Sequence, residues 1–167
     1  MTTWITADTH FDHQNIIALC NRPFASVTEM NIHMIQRWTR LIRADDDVIH
    51  LGDFAFGDGA SIFHQLPGNK HLVIGNHDNN CAKGLTWQSV TKYKEFKTGE
   101  NNQRVVLFHY PIEDWNGMTR GAVMLHGHSH GRSRKVTGRL DVGVDCHNFE
   151  PIKLSDAISM AQRVVAA

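Results

Sequence analysis

The sequence carries five short polar motifs that mix carboxylate, imidazole and amide side chains. Carboxylate oxygens together with imidazole nitrogens suit Mn, Fe, Zn, Co or Ni better than Ca or Mg, which favour shells made only of oxygen. The chain also has 12 histidines, a residue that ligates metals and titrates near neutral pH. We therefore expect metal chemistry from these motifs. In chain order they are Asp8-Thr9-His10, Gly52-Asp53, Gly75-Asn76-His77-Asp78, His109 and Gly127-His128-Ser129-His130.

The spacing within two motifs favours metal binding. Asp8 and His10, like His128 and His130, are separated by one residue, and on an extended backbone this spacing points both side chains the same way. Each pair could then hold one metal or straddle two. Glycine allows the backbone to turn sharply just before a ligand. Three motifs contain such a glycine, at Gly52, Gly75 and Gly127.

Most of the motifs are weak evidence when they are taken singly. An Asp-x-His triplet is common, Gly52-Asp53 alone is a turn signal, and a histidine such as His109 at the end of an apolar strand is often structural. Neither turn formation nor packing explains the His-Asp pair that follows Asn76, or two histidines after an apolar strand. The five motifs together favour a metal site, because they occur as an ordered set and each follows a predicted strand.

Short apolar segments precede the motifs and predict the strands that position them. Ligands of α/β sheets bind beyond the carboxyl ends of the strands, so motifs that are distant in sequence can converge there. The segment 90–96 also pairs with 104–108 as a predicted hairpin, because the residues between them are rich in turn formers. The predicted strands are 4–6, 48–51, 71–74, 90–96, 104–108, 122–126 and 140–144.

The helix signals complete an α/β pattern. Ser26-Val27-Thr28-Glu29 is a capping box, and the helix that it opens should extend to about Arg43. A short helix is expected near 60–66, and a last helix should begin at Ser155 or Asp156 and turn Ile158, Ala161 and Val165 inward. Alternating strands and helices come first and strands dominate later, which predicts an α/β sandwich of two sheets or one large mixed sheet.

Composition excludes several classes of function. Lys plus Arg and Asp plus Glu both number 17, so no global charge attracts nucleic acid or an anionic membrane. The three cysteines form no CxxC pair, which argues against a disulfide framework. No secretory signal and no apolar segment of membrane-spanning length is visible. We expect one domain over residues 1–167, in the cytoplasm and without membrane contact.

The ordered motif set resembles the calcineurin-like metallophosphoesterase superfamily, and in particular its small bacterial and phage-type members. The motifs that carry the resemblance extend from Asp8 to His130. The resemblance implies a four-layer α/β/β/α sandwich of two mixed sheets that covers essentially the whole chain. It also implies a pair of divalent metal ions at the strand ends, with Mn favoured.

The resemblance assigns a role to each motif residue. Asp53 would bridge the two metals. His77 would be the general acid, and Asp78 would orient its imidazole. A hydroxide activated by the metals would attack the phosphate ester, and His77 would protonate the leaving oxygen. The first metal would be held by Asp8, His10, Asp53 and His130, and the second by Asp53, Asn76, His109 and His128.

The chain departs from the protein Ser/Thr phosphatases of that superfamily. Those enzymes have an arginine soon after the second motif, whereas residues 54–58 here contain none, and their third motif ends in Glu rather than Asp78. Phosphate contacts are therefore assigned to Arg22 and to Arg132 and Arg134 in the loop after His130. The alternative for that loop is an ordinary solvated basic surface.

Several functional alternatives remain open at this point. A phosphodiesterase is favoured, with nucleotides or nucleic acid as possible substrates. A phosphomonoesterase, acting on nucleotides or proteins, is the first alternative, and a catalytically inactive metal-binding scaffold is the second. Trp115 could stack on a base or form a packing lid. The roles of His13 and His147, the natural substrate and the oligomeric state are not determined by the sequence.

Overall fold

The computed structural model describes residues 1–57, 59–78 and 83–165. The helices are α1 (Gln14–Leu19), α2 (Val27–Leu41), α3 (Ala60–Gln65) and α4 (Leu154–Arg163). Short 3-10 helices span Met118–Arg120 and Val144–Cys146. The strands are β1 (Thr3–Thr6), β2 (Asp47–His50), β3 (Asn69–Val73), β4 (Ser89–Thr91), β5 (Tyr93–Thr98), β6 (Gln103–Phe108), β7 (Val123–His126), β8 (Arg139–Asp141) and β9 (Ile152–Lys153).

The strands form two mixed sheets, as the sequence predicted. The first sheet has the order β4-β3-β2-β1-β9, and its strands are parallel except for β9, which pairs antiparallel with β1. The second sheet has the order β5-β6-β7-β8, in which β5 and β6 are antiparallel and the remaining pairs are parallel. The motif-bearing strands β1, β2 and β3 are thus parallel neighbours, and so are β6 and β7.

Two apolar clusters hold the sheets and helices together. Residues from both sheets, among them Ile5, Leu51 and Val105, share one cluster with Ala157 and Ala161 of α4. On the outer face of the first sheet, α2 packs its apolar stripe against the strands and α3. That stripe comprises Met30, Met34 and Trp38, all fully buried.

The outer face of the second sheet has a different cover. Val106 and Met124 pack against Trp115, Ala122 and Val136, which belong to the irregular segments after β6 and β7. A loop with a single 3-10 turn, rather than a long α-helix, therefore forms the layer next to this sheet in the described residues.

The capping box at the start of α2 is present. Ser26 Oγ accepts a hydrogen bond from Glu29 N at 3.2 Å, and Glu29 Oε2 accepts one from Ala25 N at 2.8 Å. The predicted end near Arg43 is two residues late, because Ile42 already has an extended ψ of 133°. None of the helices in the described part of the chain is long and apolar enough to cross a bilayer.

Three local expectations differ from the structure. The predicted strand 90–96 is two strands, since β4 joins the first sheet and β5 the second, with Lys92 as the crossing point. The helix α1 was not predicted. Val165 is 79% exposed rather than buried, because α4 ends at Arg163 and its helical periodicity stops there.

Candidate metal centre

The parallel strands deliver the motif residues to one edge of each sheet. Asp8 follows β1, Asp53 follows β2 and Asn76 follows β3, so these three leave the first sheet at the carboxyl ends of adjacent strands. His109 follows β6, and His128 follows β7 of the second sheet. Because the two sheets share one apolar cluster, both sets of strand ends meet in the same region.

The ligand-type side chains of the motifs gather in two groups, and a third group joins His130 to Cys20 and Asp145. One group consists of Asp8, His10 and His130, and the other of Asp53, His109 and His128. Within each group, one potential ligand atom from every residue lies within 4.8 Å of the others. Such groups are the size of a single metal coordination shell.

Asp53 links the two groups. Its Oδ2 lies 3.6 Å from His10 Nε2 and 3.5 Å from His109 Nε2. Asn76 completes the second group, since its Oδ1 lies 2.9 Å from both His109 Nε2 and His128 Nδ1. One carboxylate oxygen therefore faces both groups.

The backbone at these residues is not extended, contrary to the spacing argument made from the sequence. Non-glycine residues rarely adopt positive φ, and doing so costs on the order of 1–3 kcal/mol each. The spaced pairs therefore converge through left-handed turns rather than through strand alternation. The residues with positive φ include Asp8 (56°), His10 (48°), Asp53 (58°), His128 (68°) and His130 (47°).

Two glycines allow close approach rather than a sharp turn. A Cβ at Gly75 would lie 2.3 Å from Asp53 Oδ1, and a Cβ at Gly127 would lie 2.7 Å from Asp8 Oδ2. Neither glycine has positive φ, in contrast to Gly52 with a φ of 92°. A side chain at either position would collide with a carboxylate that the site needs.

The chemical state of the buried residues fits a bound cation. His10 is 2% exposed, and neither of its ring nitrogens has a hydrogen-bond partner among the described residues. Burial, followed by the nearby Arg22 charge, lowers the pKa of His10 to about 2, so its imidazole is neutral. Burial and the neighbouring Asp141 raise the pKa of Asp8 well above its usual value. A divalent cation would satisfy one of the two orphaned nitrogens and the buried carboxylate.

Asp78 holds the backbone of two turns. Its carboxylate accepts backbone hydrogen bonds from Asp53 at 2.9 Å, Phe54 at 2.9 Å and Gly75 at 2.7 Å. Asp78 therefore ties the turn after β2 to the turn after β3 and is a positioning residue. Its role in orienting His77 stays a prediction. The His77 ring is exposed and lies 5.6 Å from the His10 ring.

Arg22 is buried and cannot bind phosphate, which corrects its assignment as a substrate-binding residue. Its Nε and Nη2 donate to the two carboxylate oxygens of Asp145 at 2.8 and 2.9 Å. Nη2 also donates to the Asp8 carbonyl at 2.7 Å, and Nη1 donates to the Thr9 carbonyl at 3.0 Å. The guanidinium is thus used to hold the first motif in place.

The two other arginines assigned to phosphate lie at the surface. Arg134 Nη2 donates to Glu113 Oε1 at 2.9 Å, and both side chains are exposed. Arg132 is also exposed, with a long contact of 3.4 Å from its Nε to the Ser129 carbonyl. Their role toward a substrate stays a prediction.

Asp145 and Asp141 are site residues that the sequence reasoning missed. Asp145 Oδ2 lies 2.7 Å from His130 Nδ1, while Asp141 accepts from Ser129 Oγ at 2.6 Å and Gly131 N at 2.9 Å. Burial would raise the pKa of Asp145, but hydrogen bonds from His130 and Arg22 outweigh it and hold this pKa below its usual value. The available signal was two aspartates, Asp141 near the start of the strand predicted over 140–144 and Asp145 directly after it.

Replacing Asp145 with Asn is expected to weaken metal binding at the first group. A carboxylate that hydrogen-bonds the far nitrogen of a ligand histidine fixes its tautomer, and its loss typically costs about 10–100-fold in metal affinity. Calorimetric titration with Mn²⁺ should show one weakened and one unchanged site. Glu150→Gln, which disturbs a surface carboxylate paired with Arg37 and Arg40, is the control. Two unchanged affinities in Asp145→Asn would contradict the prediction.

The remaining uncertain residues are mainly structural. Trp115 is 5% exposed and donates from Nε1 to the Ala122 carbonyl at 2.9 Å, so it packs rather than stacking on a ligand. His50 is buried between Thr9 and the Gly52 backbone. His147 Nε2 lies 2.8 Å from the Asp141 carbonyl. His13 stacks on Phe56 with ring centroids 3.7 Å apart, and Cys20 is a free thiol.

Comparisons with known proteins find relatives that match most of the chain. A curated relative from Methanocaldococcus jannaschii, Uncharacterized protein MJ1445, is 29% identical over 172 residues, covering 96% of this chain and 91% of that protein. Gene 66 protein of Mycobacterium phage D29 is 24% identical over 184 residues, covering 89% and 91%. The crystal structure of AQ665, a protein of unknown function from Aquifex aeolicus, superposes with a TM-score of 0.77 at 24% identity, covering 95% of this chain and 98% of that one.

The family match covers every motif of the site. Residues 1–144 match the calcineurin-like phosphoesterase superfamily domain, a span that contains both ligand groups from Asp8 to His130. With its fold, its motif order and this match in agreement, the chain belongs to the calcineurin-like phosphoesterase superfamily.

Proposed function

We propose that the protein is a dinuclear metal-dependent phosphoesterase with phosphodiesters as its preferred substrates. The observation that carries this proposal is the position of Asp53 Oδ2, at 3.6 Å from His10 Nε2 and 3.5 Å from His109 Nε2. A single carboxylate oxygen between two histidine-containing groups is suited to bridge two cations. A mononuclear site would not need the second group.

The ligand sets follow from the two groups. Asn76 contributes an amide oxygen, which coordinates a metal without adding negative charge next to a phosphate. A mixture of oxygen and imidazole nitrogen donors suits Mn, Fe, Zn, Ni and Co, and among these Mn is the metal we favour. The first ion would be held by Asp8, His10, Asp53 and His130, and the second by Asp53, Asn76, His109 and His128.

The chain's own residues supply the remaining chemistry. When bound, the cations would polarise the phosphate and acidify the attacking water. His77 is exposed beside the first group, with its ring 5.6 Å from that of His10, and it belongs to neither ligand group. In its protonated form it would donate a proton to the leaving oxygen. Asp78 supports this step indirectly, by holding the turns that carry Asp53 and Gly75.

The charge of the site favours a diester over a monoester. A phosphomonoester is a dianion at neutral pH, and an additional cationic side chain would help to neutralise its second charge. Arg22 is the arginine that lies against the first motif, and its guanidinium is committed to Asp145, Asp8 and Thr9. A diester carries one negative charge and needs no such partner.

Comparing bis-p-nitrophenyl phosphate with p-nitrophenyl phosphate tests this function. With Mn²⁺ we expect kcat/KM to be higher on the diester by at least about tenfold, which corresponds to about 1.4 kcal/mol. The assay should be repeated with Ni²⁺, Zn²⁺ and Mg²⁺. A preference for the monoester would instead support the phosphomonoesterase alternative. Absence of hydrolysis with every metal would support the inactive scaffold.

A further inference from the structure

Three aromatic rings form a surface row that ends at the second ligand group. Tyr93 and Phe108 have ring centroids 6.1 Å apart, and Phe108 and Tyr110 have centroids 5.5 Å apart. Tyr110 in turn lies 4.7 Å from the His128 ring and 5.0 Å from the His109 ring. We refer to Tyr93, Phe108 and Tyr110 as the aromatic row.

The pairing of β5 with β6 in the second sheet positions the aromatic row beside the site. Tyr93 of β5 is the direct cross-strand partner of Phe108 in β6. His109 and Tyr110 directly follow the end of β6. The same strand end therefore delivers both a ligand-type histidine and the rings beside it, so the row's position relative to the site is set by the register of the sheet.

Packing accounts for the middle ring of the aromatic row but not for its two tyrosines. Phe108 is partly buried and packs against the apolar cluster on the outer face of the second sheet, whereas Tyr110 is 38% exposed and Tyr93 is 43% exposed. The phenol of Tyr93 donates to Glu95 Oε1, and Arg104 Nη1 pairs with Glu95 Oε2 at 2.9 Å. Among the described residues, the acidic group that contacts the row is thus paired with an arginine and does not repel a phosphate.

We propose that the aromatic row binds the nucleobases of a single-stranded oligonucleotide whose scissile phosphodiester lies at the metal centre. This proposal rests on the proposed function. Exposed aromatic side chains in sequence are the platform on which successive bases of a single strand stack. The chain has no net charge, so its affinity for nucleic acid must come from such local contacts rather than from its global field.

Two substrates with one leaving group and one charge test the row at Tyr110. These are thymidine 5′-(p-nitrophenyl phosphate) and methyl p-nitrophenyl phosphate, which differ in carrying a thymidine, with its sugar and base, or a methyl group. Stacking of one base is worth about 5- to 150-fold in affinity, so Tyr110→Leu should lower kcat/KM by that factor on the thymidine ester only. Tyr110→Phe should keep the preference. Ile32→Ala, on an exposed position of α2, is the control for both substrates.

A binding measurement separates stacking from catalysis. A trinucleotide containing 2-aminopurine should lose fluorescence when it binds the metal-free protein, and Tyr93→Leu and Tyr110→Leu should each weaken that binding. Unchanged binding in both variants, or an equal loss of kcat/KM on both esters in Tyr110→Leu, overturns the aromatic row proposal. Failure to hydrolyse methyl p-nitrophenyl phosphate at all would instead overturn the proposed function, so the two failures are distinguishable.

Discussion

Replacing Asp53 with Asn is expected to remove both metal ions and to lower kcat/KM by about 10³-fold or more, since two bound cations contribute several kcal/mol to the transition state. The loss should affect both ions because Asp53 Oδ2 faces His10 and His109 at nearly equal distances. Asn keeps an Oδ1 that can still accept from the His77 backbone N–H, a contact of 2.8 Å. The substitution therefore removes the charge more than it removes a structural contact.

Elemental analysis after dialysis and calorimetric titration with Mn²⁺ measure this loss directly. Asp47→Asn is a matched control, because it makes the same change on β2, where the carboxylate accepts a long bond of 3.3 Å from Asn69 Nδ2, lies 3.9 Å from His71 Nε2 and belongs to neither ligand group. The control should retain two ions per chain. If Asp53→Asn also retained two ions with unchanged affinity, Asp53 could not be the bridge.

Replacing His77 with Ala should, unlike Asp53→Asn, leave both metal ions bound while turnover is lost. A general acid contributes about 10²–10⁴-fold, and that is the fall in kcat expected on a substrate whose leaving group needs a proton. The backbone N–H of residue 77, which donates to Asp53 Oδ1, is unaffected by truncation of the side chain. The metal groups should therefore remain intact.

The leaving group provides the sharpest check on His77. p-Nitrophenolate leaves without much need for a proton, whereas a nucleoside or alkyl alcohol needs one. The loss in His77→Ala should thus be small on p-nitrophenyl esters and large on an alkyl diester. His64→Ala, an exposed histidine on α3, should change neither rate. Disappearance of both ions from His77→Ala would reassign His77 as a ligand.

The contacts of Arg22 and Asp78 explain how a strained site is held. Asp78 joins the turns after β2 and β3 through three backbone hydrogen bonds. Arg22 joins the turn after β1 to Asp145, which holds His130. Buried charge-assisted contacts of this kind can maintain the left-handed conformations at Asp8, Asp53 and His130, which cost free energy on their own.

The sequence by itself determined the ligand-type residues and most of the elements that carry them. Apolar segments of strand length precede each motif, and adjacent parallel strands must end at the same edge of a sheet, so convergence of Asp8, Asp53 and Asn76 follows from chain order and strand periodicity. The capping box of α2 could also be predicted, because both of its hydrogen bonds join residues within a segment of five. These features depend on local pattern.

Only the tertiary structure decided which polar and aromatic residues serve the site indirectly. Arg22 pairs with Asp145, which is 123 residues away in the sequence. No local pattern distinguishes an arginine in such a buried ion pair from an arginine that binds phosphate. The same limit applied to Trp115, which is buried, and to Tyr110, which is exposed beside His128. Whether a side chain faces a core, a backbone donor or a ligand is set by packing between distant segments, and that information is absent from the spacing of residues along the chain.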